Sequence, residues 1–134
     1  MTDRTWRERV EGQLAEVCAA EGFRQSSRHQ RLLRYLVGRL VEGNHDSVKE
    51  YELGVEVLGR PVDYDPRTDP IVRVEMRQLR LRLAAHYGQE GRTAPLKIDL
   101  PKGRYLATVI EAVAFGAALP ASAPEETPRP AAPG

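Results

Sequence analysis

Apolar side chains recur at helical spacing in several separate stretches of the chain. Trp6, Val10, Leu14, Val17 and Cys18 predict an amphipathic helix over 3–21, stopped by Gly22. Its stripe is narrow and its other face charged, so it suits either packing on a core or pairing with a second copy. Ser27-Arg28-His29-Gln30 has the form of a capping box, with Ser27 as N-cap. The helix that follows runs to about Glu42 and buries Leu32, Leu33, Leu36, Val37 and Leu40, with Gly43-Asn44 ending it. Asp46 or Ser47 can cap a third helix to about Leu58, striped by Val48, Tyr51, Val55 and Leu58.

Residues 59–70, GRPVDYDPRTDP, are too rich in proline for a helix and predict a long ordered loop. Asp69 and Pro70 then start a helix to about Gly88, as N-cap and first helical residue. Val72, Met76, Leu79, Leu83 and Tyr87 form its buried face. Leu96 to Leu100 alternates apolar and polar, as a half-buried strand does. A turn at 101–104 leads to a return strand over 105–110. The fold expected is mainly α with a small β-hairpin. Its units are an N-terminal helix (1–22), a domain over 23–110 and a disordered Pro/Ala-rich tail over 117–134.

Charge changes the picture only when read by region. The chain has 134 residues and a net charge of +1, which announces no polyanionic partner. Yet residues 23–40 hold five arginines and no acid (+5), residues 41–69 three basic and eight acidic groups (−5), and residues 70–105 eight basic and three acidic groups (+5). Seventeen of the twenty basic residues are Arg, whose fork fits phosphate and guanine edges. On the 70–88 helix, Arg77, Gln78 and Leu81 point away from the buried face beside Val74, with Arg73, Arg80 and Arg82 on the flanks. Such a surface, followed by a basic-tipped hairpin, suits reading of a DNA major groove; it also suits a plain solvated face.

Two stretches carry a resemblance. VRVEMRQLRLRL (72–83) and LKIDLPKGRYLATV (96–109) resemble the recognition helix and wing of OmpR/PhoB/ToxR-type winged helix-turn-helix domains. With SSRHQRLLRYLVGRLVEG and VKEYELGVEVLGRPVDYDPRTDP in the expected order, residues 23–109 look most like the winged-helix domain at the N-terminus of bacterial tetratricopeptide or TolB-like regulators. The helix at 3–21 stands where the two-component relatives have a sheet. The resemblance implies a winged helix-turn-helix fold and a homodimeric, sequence-specific binder of double-stranded DNA that regulates transcription. It places Arg73, Arg77, Gln78, Arg80 and Arg82 on or beside the recognition helix and Lys102 and Arg104 at the wing tip. It gives Arg28, Arg31 and Lys49 to the DNA backbone. Tyr87 and Tyr105 would pack the wing on the core. The loop at Asp63-Tyr64-Asp65-Pro66 stands where some such proteins touch RNA polymerase; it also reads as a connector held by Asx turns.

Other chemistry finds little support in the sequence. His29, His45 and His86 have no metal-ligand partner at helical spacing; His29 and His86 are expected on helix surfaces and His45 in a loop. Cys18 lies in an apolar stripe and is expected to be buried and inert. Asp63, Asp65 and Asp69 do not have the spacing of a calcium loop, and no glycine-rich phosphate loop occurs. No enzymatic activity, cofactor or metal is expected. The charged N-terminus and the lack of a long apolar run point to a cytoplasmic protein with no membrane partner. The competing function is a winged-helix adaptor that binds protein instead of DNA. That reading gains if Glu50, Glu52 or Glu56 neutralises Arg73, Arg80 and Arg82.

Overall fold

A computed structural model describes residues 3–111, with side chains from residue 5. The tail expected over 117–134 lies outside the described residues. The order is α1 (Asp3–Ala19), α2 (Ser27–Val41), α3 (Glu50–Glu56), α4 (Ile71–Gly88), β1 (Leu96–Asp99) and β2 (Thr108–Glu111). The fold is mainly helical with one small hairpin, a helix-rich domain carrying a β-hairpin wing. β1 and β2 are antiparallel, with Leu96 opposite Glu111 and Asp99 opposite Thr108.

Side chains from every element meet in one core. Phe23, Leu32, Leu33, Leu36, Leu53, Met76 and Leu79 are its largest fully buried members. α1 packs on α2 and on β1, and α4 packs on both α2 and α3. The Val10, Leu14, Val17 and Cys18 stripe of α1 is buried in this core, so its apolar face is spent within the chain. Cys18 is buried and free, and burial pushes its thiol pKa up, which keeps it protonated.

Several expected boundaries shift, each for a local reason. The Ser27 capping box does not form: Ser26 is the N-cap of α2 and its hydroxyl turns to His29 Nδ1, while Gln30 donates to the Phe23 carbonyl. α3 begins at Glu50, not near Asp46, because the residues before it dock the wing. The Val48 amide donates to the Tyr105 carbonyl (2.8 Å) and the Tyr105 amide to Ser47 Oγ (2.8 Å). The buried residues of α3 are Leu53 and Gly54, and Tyr51 is exposed. α4 begins one residue later than expected, with Pro70 as N-cap, yet the Asp69 carboxylate still accepts from the Ile71 amide (3.2 Å). The return strand starts at Thr108 instead of Tyr105, since residues 105–107 pack inward or pair with Ser47 and Val48.

The loop between α3 and α4 is a connector with its own fixings. Asp65 Oδ1 accepts from the Arg67 amide, an Asx turn, and Arg60 pairs with Asp69 at 3.0 Å. Tyr64 is buried and one side of its ring, Cδ2, Cε2 and Cζ, lies against Gly54, where a Cβ would clash with it. Gly54 is therefore required by close approach, not by backbone twist.

Leu79 has no exposed surface. Leu79→Ala should cost about 2–5 kcal/mol in urea unfolding, because the cavity it leaves can relax only in part. A change below about 0.5 kcal/mol would contradict the assigned buried face of α4.

Candidate nucleic-acid interface

Burial of one face of α4 leaves Arg73, Val74, Arg77, Gln78 and Leu81 facing outward. With Pro70 they line one open depression along the helix. Gln78 also borders a second depression, beside Arg28 and Arg31 from the first turns of α2. The exposed face of α4 thus runs on into the N-terminal end of α2, whose first turn carries no acidic residue.

Arg80 fixes the hairpin to this surface. Its guanidinium donates to the carbonyls of Leu100 (3.0 Å), Pro101 (3.1 Å) and Arg104 (3.0 Å), which closes the turn around Lys102 and Gly103. Gly103 takes a positive φ of 81° at the tip, where an L side chain would be strained. Arg80 follows Arg77 by three residues, about 4.5 Å along the axis. The turn that carries Lys102 and Arg104 is therefore tied to α4 within a turn of Arg77. Tyr87 holds the other end of the hairpin. Its hydroxyl donates to Gln13 Oε1 (2.8 Å) and accepts from the Ile98 amide (2.9 Å), and burial pushes its pKa up to about 12.

The ten expected site residues divide by what they touch. Arg77, Gln78, Lys102, Arg104 and Lys49 are exposed and their side chains make no hydrogen bond or ion pair with the described residues. The others are engaged. Arg73 pairs with Glu50 (2.6 Å) and donates to the Pro66 carbonyl (3.2 Å), so α3 and the loop hold its charge. Arg80 is a latch for the wing, not a free reading group. Arg82 faces α2 and the α1–α2 turn: it donates to His29 Nδ1 (3.1 Å) and to the Gly22 carbonyl, and its guanidinium lies 6.0 Å from the Phe23 ring centre. Arg28 pairs with Glu75 (2.9 Å) and stays half exposed. Arg31 reaches the Val57 carbonyl only weakly, at 3.4 Å. Lys49 is the N-cap of α3, whose first turn carries Glu50 and Glu52, so amides and lysine there do not form a clear anion site.

Sequence reasoning missed the polar knot between α2 and α4. His29 and His86, expected on surfaces, are both buried, and so is Glu75. Their places in the apolar stripes, His29 with Leu32, Leu33 and Leu36 and Glu75 with Val72 and Leu79, are the signal that could have found them. An arginine can only donate, so His29 Nδ1 is an acceptor and Nε2 carries the proton given to Glu75 Oε1 (2.9 Å). Burial first, then the nearby arginines, lowers the His29 pKa from 6.5. Among the described residues no group of three or more His, Cys, Asp or Glu is placed to hold a metal. No helix among them is long and apolar enough to cross a membrane.

Comparison with protein-family models, with curated proteins and with solved structures gives no significant match in any of the three.

Two outcomes follow from the latch and the knot. Arg80→Ala should cost about 1–3 kcal/mol, since three carbonyls lose a charged donor. It should also speed amide hydrogen exchange over residues 100–107; unchanged exchange there would remove the latch. A depressed histidine pKa means that the unfolded chain takes up the proton first. The stabilising contribution of neutral His29 is therefore full above about pH 6.5 and is lost as pH falls through the lower folded pKa. His29→Gln should flatten the fall in unfolding midpoint between pH 7.5 and 5, and an equally steep fall would refute the role.

Proposed function

We propose that this chain is a sequence-specific, double-stranded-DNA-binding transcriptional regulator of the winged helix-turn-helix type. One observation carries the reading. Arg77 and Gln78 on the outer face of α4, and Lys102 and Arg104 on a turn latched to that helix, are polar or cationic groups whose side chains have no partner among the described residues. Water solvates these groups in the free chain, and because Arg80 ties the turn to α4 they can exchange that water together for one anionic, hydrogen-bonding surface. The major groove offers both: Arg77 meets guanine O6 and N7, Gln78 meets adenine N6 and N7, and the wing tip meets the adjacent backbone or minor groove. Arg31, and Arg28 through its exposed edge, take phosphates at the α2 end of the face; Lys49 takes one through its charge alone.

The reading assigns no enzymatic role, no cofactor and a cytoplasmic place. Two copies would bind half-sites about one helical turn apart. Since the α1 stripe is buried within the chain, their contact must use another surface. Of the expected Asp63-Tyr64-Asp65-Pro66 contact, Tyr64 is buried and Asp63 is exposed, so a polymerase contact there would use Asp63 and its exposed neighbours Pro61 and Val62. The adaptor reading gains from one observation, the Arg73–Glu50 pair. It does not gain from Arg80 and Arg82, which are held by carbonyls and His29 instead of by the acids of α3.

Arg77→Ala should weaken binding to a selected duplex by about 1–3 kcal/mol and relax the base preference at one position. Lys102→Ala should weaken all duplexes alike and make the salt dependence shallower by about one unit of slope. Both are read by fluorescence anisotropy at two salt concentrations. No binding of any duplex at low salt would turn the reading to the adaptor.

A further inference from the structure

Two large apolar side chains lie in the middle of the α4 outer face. Leu81 is 63% exposed and Val74 is 44% exposed. They are seven residues apart, so they stand almost in line along the helix, about 10.5 Å from each other. Arg77 and Gln78 fall between them along the axis, one to either side of that line. Single exposed aliphatics are common on protein surfaces, but these two share one depression with Arg77 and Gln78, so whatever engages those polar groups also meets Val74 and Leu81.

The surroundings decide what that partner is. Glu75, the one carboxylate of α4, is buried under Arg28 and His29. The charged residues that share the depression with the two aliphatics are both arginines, Arg77 exposed on the helix and Arg73 paired with Glu50, and Arg80 ties the turn that carries Lys102 and Arg104 to the same helix. A second copy seated on this face by two-fold symmetry would set these cations against their own kind. A polyanion that also presents methyl groups fits the charge and the aliphatics together. In DNA that group is the 5-methyl of thymine, which projects into the major groove.

We propose, resting on the DNA-binding reading above, that Val74 and Leu81 are specificity determinants that read thymine methyl groups. Their separation corresponds to about three base pairs at 3.4 Å per step. Gln78, between them, is placed for the adenine edge and Arg77 for a guanine edge. The preferred half-site therefore holds two thymine-bearing pairs about three steps apart, with a hydrogen-bonded readout between.

The test uses the full chain and a duplex selected by it from a random-sequence pool. Each thymine of that duplex is replaced in turn by deoxyuridine, which removes the methyl and leaves every hydrogen-bonding group. Wild type should lose about fourfold in affinity at two thymines, the value of one buried methyl. Val74→Ala should become insensitive at one of the two and Leu81→Ala at the other. Both positions are exposed, so circular dichroism should show both variants folded. A selected duplex bound with no deoxyuridine sensitivity anywhere would overturn this inference and leave the DNA reading standing. Sensitivity that persists in both variants would also overturn it. Failure to select any duplex would overturn both.

Discussion

The structure depends on how α4 divides its two faces. Val72, Met76, Leu79 and Leu83 enter the core and meet α2 and α3. That burial fixes the helix about its axis, and so decides which of its arginines reach solvent. A helix turned by one residue would send Arg77 or Arg80 into the core and expose Met76 or Leu79, at a cost of several kcal/mol. The rotation of α4 is the constraint from which the wing, the polar knot and the outer face follow.

The arginines then separate by neighbour, not by type. Arg80 finds three carbonyls at the end of β1 and becomes part of the wing. Arg82 finds His29 and the turn after α1, and Arg73 finds Glu50. Arg77 has none of these within reach. Two like residues three apart on one helix therefore hold different places: Arg80 holds the backbone that presents Lys102 and Arg104, and Arg77 is left for the proposed DNA contact. The Glu75–His29–Arg82 knot adds direction to the α2–α4 contact, which apolar packing alone would leave free to slide.

Most of the fold was legible because its elements are strongly periodic. The stripes of α1, α2 and α4 and the alternation of β1 each pointed to a buried face that the structure contains. What escaped was chemistry that depends on a partner distant in sequence. Ser47 looked like a helix cap, but the Tyr105 amide, far along the chain, takes its hydroxyl. Ser27 lost its cap role because the neighbouring Ser26 hydroxyl is drawn to buried His29. Around the short α3 the expected stripe held at Val48, Val55 and Leu58 and failed at Tyr51, which is exposed, while Leu53 and Gly54 are buried, Gly54 against the Tyr64 ring from the loop. For the candidate site, the outward direction of Arg77 and Gln78 was readable from angle alone. The engagement of Arg73, Arg80 and Arg82 was not, because a helical wheel shows where a side chain points and not what waits there.

The most direct test of the proposed DNA face is a map of backbone amide shifts in the folded chain as duplex DNA is added. The account predicts shifts gathered on Val74, Arg77, Gln78 and Leu81, on residues 102–104 and on the first turn of α2, with the outer face of α1 unmoved. Shifts confined to α1 or to the α3–α4 loop, or none with any duplex at low salt, would contradict it.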